Sequence, residues 1–556
     1  MAGHSRSKQR RRFARLCPAI HAFRILKDAD VRHKVYTRAG RRPDPGAGHD
    51  WIAVTAEEIE VADQRWDVVV IGAGNAAFCA ALAAREKGAT VLMLERAPKE
   101  LMGGNSRFTA GAFRCVYDGV DDLTAIMPDL TPDEIARSDF GTYTSDQFFD
   151  DMFRVTQYRT DGELCERLVD RSRDAMRWLH QKGMKFAPIW GRQAYRIDNK
   201  FKFWGGLTVE AWGGGPGLID QHLRLAEKQG IEVRYGVRAI SLIYDGHVVS
   251  GLRVKADGKI EDVKARSVVL ACGGFESNAE MRTRYLGPGW ELAKVRGTAY
   301  NTGDGIRMAM EIGASSYGNW SGCHAVGWDY NAPEFGDLAV GDNFQKHSYP
   351  WGIMVNATGR RFVDEGADFR NYTYAKYGRV ILNQPNNFAW QIFDKKIIPM
   401  LRDEYRIKRV TKQSANTIEE LAKKLEGVDP QGFVDEIRTY NAAVKKDVPF
   451  NPNIKDGRCT VGLPVNKSNW ANTIDEPPFE AYQVGCGISF TFGGVRIDPD
   501  TGQVIDGDMS PIPGLYAAGE LVGGIFYFNY PGGSGLMSGS VFGRIAGHGA
   551  ARPGNA

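Results

Sequence analysis

The 556-residue chain is 43% hydrophobic and 25% charged, the composition of an ordinary globular protein with material for two sizeable cores, or three on length alone. Its net charge of +4 averages two unlike regions, because residues 1–42 hold thirteen Lys/Arg against Asp28 and Asp30, a local +11 that leaves −7 on the remainder. A mildly acidic body excludes nucleic acid as the partner of the folded part, and no apolar run approaches the ~18 residues needed to cross a bilayer.

In chain order, residues 1–64 come first. They carry Arg10-Arg11-Arg12 and Arg41-Arg42, have no apolar core of their own and close in RRPDPGAGHD. They read as a disordered basic extension rather than a nucleic-acid tail or a transit peptide, and a start codon placed too far upstream would leave the same trace. The segment Trp66 to Glu95 then forms a complete βαβ unit. Val68 to Ile71 suit a strand buried on both faces, and Gly72-Ala73-Gly74-Asn75-Ala76-Ala77 follows at once. In this pattern Gly72 permits the tight turn, Gly74 lets a pyrophosphate approach the backbone, and Ala77 lets the helix pack close to the sheet. The Ala-rich helix from about Asn75 to Lys87 aims its N-terminal amides at the phosphates and stops at Gly88. The next strand, Thr90 to Leu94, delivers Glu95 and Arg96, the carboxylate falling where it accepts both ribose hydroxyls.

NAD and FAD share that motif, so the choice rests on later segments. Met102-Gly103-Gly104-Asn105-Ser106 brings backbone amides toward a phosphate or a flavin ring. Near the C-terminus, Gly514 to Glu520 (GLYAAGE) reads as a short strand delivering Gly519 and Glu520. Gly532-Gly533-Ser534-Gly535-Leu536 then opens a small-residue helix to about Gly547, whose positive end suits charge on a reduced flavin. The cofactor is thus bound by both ends of the sequence. Eight cysteines without a CxxC pair read as reduced thiols of a cytoplasmic protein, and ten histidines without HExxH or helical pairing place no metal.

These segments, together with Val268 to Phe275 (VVLACGGF) and Asn301-Thr302-Gly303-Asp304-Gly305, resemble the flavoprotein subunits of the fumarate reductase and succinate dehydrogenase superfamily over roughly residues 66–550. The resemblance implies an α/β fold, a Rossmann-like FAD-binding domain interrupted by an α+β capping domain. The texture of the chain turns rich in aromatics, prolines and charged helices at Trp320 and stays so to about Gly487. The cap is accordingly set at 321–487 and the FAD domain at 65–320 and 488–556. The FAD is expected to be non-covalent, because Gly104 to Thr109 offer no histidine where succinate dehydrogenases link theirs. Within the superfamily, the stretches 335–378 and 526–547 are similar to the tricarballylate dehydrogenases.

The resemblance also implies the chemistry. A substrate carboxylate is held by cationic and hydroxyl groups while an arginine relays a proton. Arg370, shortly after Glu365, fits that arginine with one extra residue between, and Glu365 or Asp368 would pass the proton on. His324 falls near the family's substrate-binding histidine, and Arg360, Arg361, Lys346 and His347 are the pool of further carboxylate ligands. Two positions depart from the family: Phe490 stands where fumarate reductases have a histidine, and Tyr530 where they have a carboxylate-binding arginine. The Tyr530-Pro531-Gly532 arrangement is similar to that of 3-ketosteroid dehydrogenases, with Trp190, Phe201, Phe203, Trp204 and Trp212 as material for an apolar slot.

The reading that follows is an FAD-dependent dehydrogenase of a small polycarboxylate, tricarballylate to cis-aconitate, with Arg370, Tyr530 and His324 as catalytic residues. It would be cytoplasmic, and the resemblance implies that its electrons pass to a separate membrane-bound iron–sulfur partner, the chain having no cluster motif of its own. A 3-ketosteroid desaturase, a flavoprotein of corrin biosynthesis and a flavin carrier with a disabled site remain the alternatives.

Overall fold

The computed structural model describes residues 65–552. The basic extension therefore lies outside the described residues. The described residues all belong to one compact unit.

The strand Trp66–Ile71 sits inside a largely parallel sheet, flanked by Val91–Leu94 on one side and by the end of Lys259–Leu270 on the other. Both of its faces are covered, which is why Val68, Val69 and Val70 are wholly buried and the segment shows no polar alternation. The sheet continues outward to Glu232–Arg234 beyond Val91–Leu94 and to Pro511–Ala517 beyond Lys259–Leu270, all parallel. Lys259–Leu270 belongs to two systems. Its first half closes an antiparallel meander with Arg238–Tyr244 and Val249–Ala256, and its second half enters the parallel sheet. The turn at Asp245-Gly246 is held by the Asp245 carboxylate, which accepts the amides of His247 and Val248.

The first helix, Asn75–Glu86, is buried along nearly its whole length, because the last helix, Ser534–Ala550, lies directly on it. Gly539, Gly543 and Gly547 recur every fourth residue on the contact face, and a Cβ on them would sit 3.1 Å from the Asn75 amide, 2.6 Å from the Ala76 carbonyl and 2.2 Å from the Ala80 carbonyl. Small residues on both faces let the two backbones approach, and this fastens the end of the chain to the first turn of the nucleotide motif.

A second, mixed sheet is organised around Phe479–Val495, which pairs with Ser316–Asp329, Ala389–Phe393, Lys412–Ala415 and Lys294–Val295. Helices Ile418–Lys424 and Pro430–Ala443 cover it with a core of their own that includes Trp390, Leu421, Phe433 and Tyr440. The limits set at 321 and 487 fall inside the two long strands 316–329 and 479–495. Their 316–320 and 488–495 ends pack with the main core, and strand 479–495 places Phe479 and Ala481 in the second core. Their pairing is broken by irregularities between Asn319 and Cys323 and between His324 and Ala325. Such bulges re-aim side chains, and here His324 is set directly opposite Phe490. The stretch leading to Arg370 holds the short strand Ile353–Val355 and a single bridge between Val355 and Arg361.

Candidate active site

Two cavities meet at the C-terminal ends of the parallel strands, the usual place for a ligand in an α/β sheet. The first is bordered by Gly72, Gly74, Glu95, Arg96, Gly104, Asn105, Ser106, Asp304, Gly519 and Glu520. The second, larger one shares Asn105, Ser106, Gly519 and Glu520 with it and runs on past Gly535 and Leu536 to His324, His347, Arg370 and Tyr530. Segments from both ends of the sequence thus border one continuous space. Of the residues assigned to the cofactor, Ala77, Gly103, Gly303 and Ser534 do not border it. Ala77 is fully buried in helix packing, Gly103 (φ +109°) and Gly303 (φ +81°) act as left-handed turn residues, and the Ser534 hydroxyl donates to the Pro531 carbonyl.

The first cavity fits the adenosine and pyrophosphate end of FAD. At Gly72 the fold itself requires glycine, since φ is +111° and a Cβ would lie 2.4 Å from the Ala271 carbonyl. At Gly74 it does not: the nearest protein atoms to a Cβ would be 3.5 and 3.6 Å away, so the bare backbone serves whatever enters the cavity. Glu95 is buried, which raises its pKa, against the Ala97 amide that donates to it at 2.7 Å. Arg96 pairs with Asp304 at 3.0 Å and Arg238 holds the same carboxylate through two contacts, so Asp304 fixes the two arginines that border the rim. The N-terminus of the seventeen-residue helix Ser534–Ala550 opens toward the second cavity through Gly535 and Leu536.

In the second cavity the sequence-assigned Arg370, Tyr530 and His324 come together, and the fold adds residues that sequence reading missed. Arg296 directs its Nε and Nη2 at Asp342 Oδ1 (2.8 and 2.6 Å), and Arg192 Nη1 reaches Asp342 Oδ2 at 2.6 Å. Gln345 donates to the same Oδ2 at 2.8 Å. Tyr374 meets Tyr530 hydroxyl to hydroxyl at 2.5 Å. The His324 ring stands edge-on to both tyrosines, each with its centroid 4.9 Å away.

The electrostatics follow from burial among cations. Burial pushes His324 and His347 well below the usual histidine range, and the arginines add to it: Arg296 for the first, Arg370 foremost for the second. Both histidines are therefore neutral at ordinary pH. Burial opposes the charge of Arg296, but Asp342 outweighs it and the pKa rises. Arg370 has no such ion pair among the described residues. Burial lowers its pKa, partly offset by Glu404 and reinforced by Arg402 and Arg192, and its Nη2 donates to the Arg192 carbonyl. Burial and the Tyr374 contact raise Tyr530.

Several expected ligands lie elsewhere. Arg361 is fully buried but forks onto Glu365 (2.6 and 3.2 Å), whose Oε1 also accepts the Met354 amide. Arg360 is exposed, 3.6 Å from Glu436. Lys346 donates to the carbonyls of Asn343, Phe344 and Gln345 and lies 3.5 Å from Asp329. Asp368 pairs with Arg154 at 2.6 Å. Neither Glu365 nor Asp368 is the acid beside Arg370. The acid whose charge acts most on Arg370 is Glu404, whose Oε1 accepts the His347 amide at 2.7 Å. Local spacing could mark only the Arg361–Glu365 pair, four residues apart; the carboxylate that Arg192 and Arg296 meet is set by the fold.

Residues 67–536 match the FAD binding domain family, and the chain belongs to it, as an FAD-dependent oxidoreductase of the fumarate reductase and succinate dehydrogenase flavoprotein superfamily. It is 31% identical over 546 residues to the probable fumarate reductase Ifc3 of Shewanella frigidimarina, covering 96% of this chain and 82% of that protein. It is 28% identical over 501 residues to the urocanate reductase of Eggerthella lenta, covering 87% and 74%. Among solved structures it is similar to the open conformation of a flavocytochrome c3 fumarate reductase (TM-score 0.65, 28% identity, 94% and 84% of the two chains). It shares its fold with 3-ketosteroid delta1-dehydrogenase from Sterolibacterium denitrificans (TM-score 0.67, 21% identity, 88% and 99%). The reactions of the superfamily make or remove a carbon–carbon double bond.

Proposed function

We propose that the chain is a dehydrogenase that takes two hydrogens from adjacent carbons of a small polycarboxylate, with tricarballylate to cis-aconitate as the specific assignment. The observation that carries it is the convergence of Arg192, Arg296 and Arg370 on one cavity, since guanidinium forks suit carboxylates. Asp342 holds two of them in place and leaves Arg370 free for the substrate. In this reading residues 65–320 and 488–552 hold FAD and 321–487 cap it. The cofactor is held by the backbone at Gly72, Gly74, Gly104 and Gly519, by Glu95 at the ribose and by the start of the helix at Gly535 and Leu536. FAD, when bound, supplies the hydride acceptor.

The protein's own part is positioning and proton handling. Arg370 donates N–H to a substrate carboxylate and, with its pKa lowered by burial, is placed to move the proton of the carbon next to it. Tyr530 and Tyr374 supply hydroxyls for a second oxygen, and neutral His324 orders them. The electrons would leave to a membrane-bound iron–sulfur protein, in keeping with the membrane and cytochrome partners of related fumarate reductases. The tyrosine pair also favours a 3-ketosteroid reading, but its apolar slot lacks support. Trp190, Phe201 and Phe203 pack on one another, Trp204 stacks on Phe369, Trp212 is 61% exposed, and none of them borders the larger cavity.

The experiment is anaerobic titration of the oxidised holoprotein, followed at the flavin band near ~450 nm, with tricarballylate and a 3-ketosteroid in separate cuvettes. Bleaching by tricarballylate alone is the expected result. Bleaching by the steroid alone would reverse the assignment, and bleaching by neither would overturn both.

A further inference from the structure

Where the two cavities join, the wall contains a pair of carboxyl groups: Glu520, already assigned to the cofactor, and Glu276, which has had no part so far. Glu276 follows the strand 259–270 and is fully enclosed. Glu520 follows the strand 511–517 and borders both cavities. Because these strands are parallel neighbours, Leu270 opposite Ala517, the segments leaving them are brought side by side. Gly274 lets them close up, for a Cβ there would lie 2.2 Å from Glu520 Oε1. The two carboxyl groups are in hydrogen-bonding contact.

The partners of each oxygen restrict where a proton can be. Glu276 Oε1 accepts from the Asn105 and Asn301 amides, both at 2.6 Å. Glu276 Oε2 is enclosed and receives no N–H or O–H among the described residues. Glu520 Oε1 accepts the Thr491 amide at 2.8 Å and its hydroxyl at 3.2 Å. The nearby cation, Arg282, spends its Nη1 on the Glu276 main-chain carbonyl at 2.7 Å. Two carboxylates in contact cannot both ionise, and a buried oxygen left without a partner is costly.

We propose that Glu276 is a protonated acid that donates from Oε2 to the Glu520 carboxylate, giving the pair one negative charge at the junction of the cavities. Glu276 is thereby a positioning residue. The Asn105 amide it holds also donates to the Ser489 carbonyl at 2.6 Å, and Asn105 Oδ1 accepts the Thr298 amide at 2.9 Å. One acid therefore ties together the segments at 105, 301, 491 and 520, all of which border the space given to FAD. Burial, with Glu520 beside it, raises Glu276 well above the carboxylate range, and burial raises Glu520 as well.

The infrared arm of the test is independent of the FAD reading, and the redox arm rests on it. Glu276→Gln reproduces the proposed pattern, since the amide oxygen accepts the two asparagines and the amide nitrogen donates to Glu520. The holoprotein is expected to show a protonated-acid C=O stretch, shifted in D2O and missing from E276Q. E276Q is expected to keep its FAD and its flavin midpoint potential, while Glu520→Gln, which removes the charge, raises the potential. Glu276→Ala, which leaves two amides unpaired, is expected to weaken FAD binding roughly tenfold or more. An infrared spectrum unchanged by E276Q, or a potential raised by E276Q as by E520Q, would overturn the proposal whether or not the alanine variant folds. A protein that binds no flavin yet retains the acid band would overturn the FAD placement alone.

Discussion

The two halves of the cavity are built by opposite means. Around Gly72 and Gly74 the contacts come from the backbone: a strand end, a turn and a helix start, all within a few residues of one another. Around Arg370 they come from long side chains carried by segments near residues 192, 296, 342, 370 and 530, and most of the charges among them are already matched inside the protein. The first design is local and tolerates little change of sequence. In the second, two arginines nine residues apart, Arg361 and Arg370, have different fates according to the carboxylate that each one meets.

The strongest way to break the contrast is to exchange those fates. Arg370→Ala is expected to lower turnover by about 10²–10⁴-fold, the range for loss of a proton-transfer group, with a melting temperature near that of the parent; steady-state kinetics beside thermal melts check it. Arg361→Ala is expected to do the reverse. It strands the buried Glu365 and costs about 3–5 kcal/mol of stability, measured by denaturant unfolding, with kcat little changed in the folded fraction.

In the backbone half the paired test is at the glycines. Gly74→Ala, at an ordinary φ of −84°, is expected to leave folding intact and weaken FAD binding by about tenfold or more. Gly72→Ala, with its Cβ against the Ala271 carbonyl, is expected to destabilise the fold itself. Equal effects of the two on FAD retention at equal stability would remove the distinction drawn between them.

The smallest effect is on pH. His222 lies beneath the first helix, its Nε2 against Asn75 Oδ1 at 2.9 Å, and burial lowers its pKa to about 3. In the window from the ordinary histidine value down to about 3 the unfolded chain binds a proton that the folded one refuses. The associated stability is therefore present above the unfolded pKa and is lost as pH falls. Denaturation curves across that window should show the loss, and His222→Gln should flatten it. Glu210, raised to about 7 by burial despite Arg192, has the opposite sign: it favours the fold below the ordinary glutamate value and loses that contribution as pH rises toward 7. Glu210→Gln is expected to raise the melting temperature at pH 8 and leave it unchanged at pH 4.

The cofactor half was legible because its signal is local. An apolar run, GxGxxA, an Ala-rich helix and Glu95 are enough, and the C-terminal glycine helix was readable from the same small-residue pattern. The resemblance to the superfamily then brought Arg370, His324 and Tyr530 forward. Arg192 and Arg296 had no such mark. One sits in a short turn, WGRQ, and the other just ahead of the NTGDG stretch, and nothing near either residue in the chain reports that Asp342 will lie between them. Glu276 was hidden for the same reason, since the group that makes it significant is Glu520.

By itself, then, the sequence determined the α/β nucleotide unit, the class of cofactor and the family, because periodicity, glycine placement and short motifs act through neighbours in the chain. Only the tertiary structure decided which charges remain free for a substrate. That choice depends on pairings the fold makes, 150 positions apart for Arg192 and Asp342 and 46 for Arg296 and Asp342, and the free energy of a buried charge is set by the partner it meets rather than by its place in the sequence.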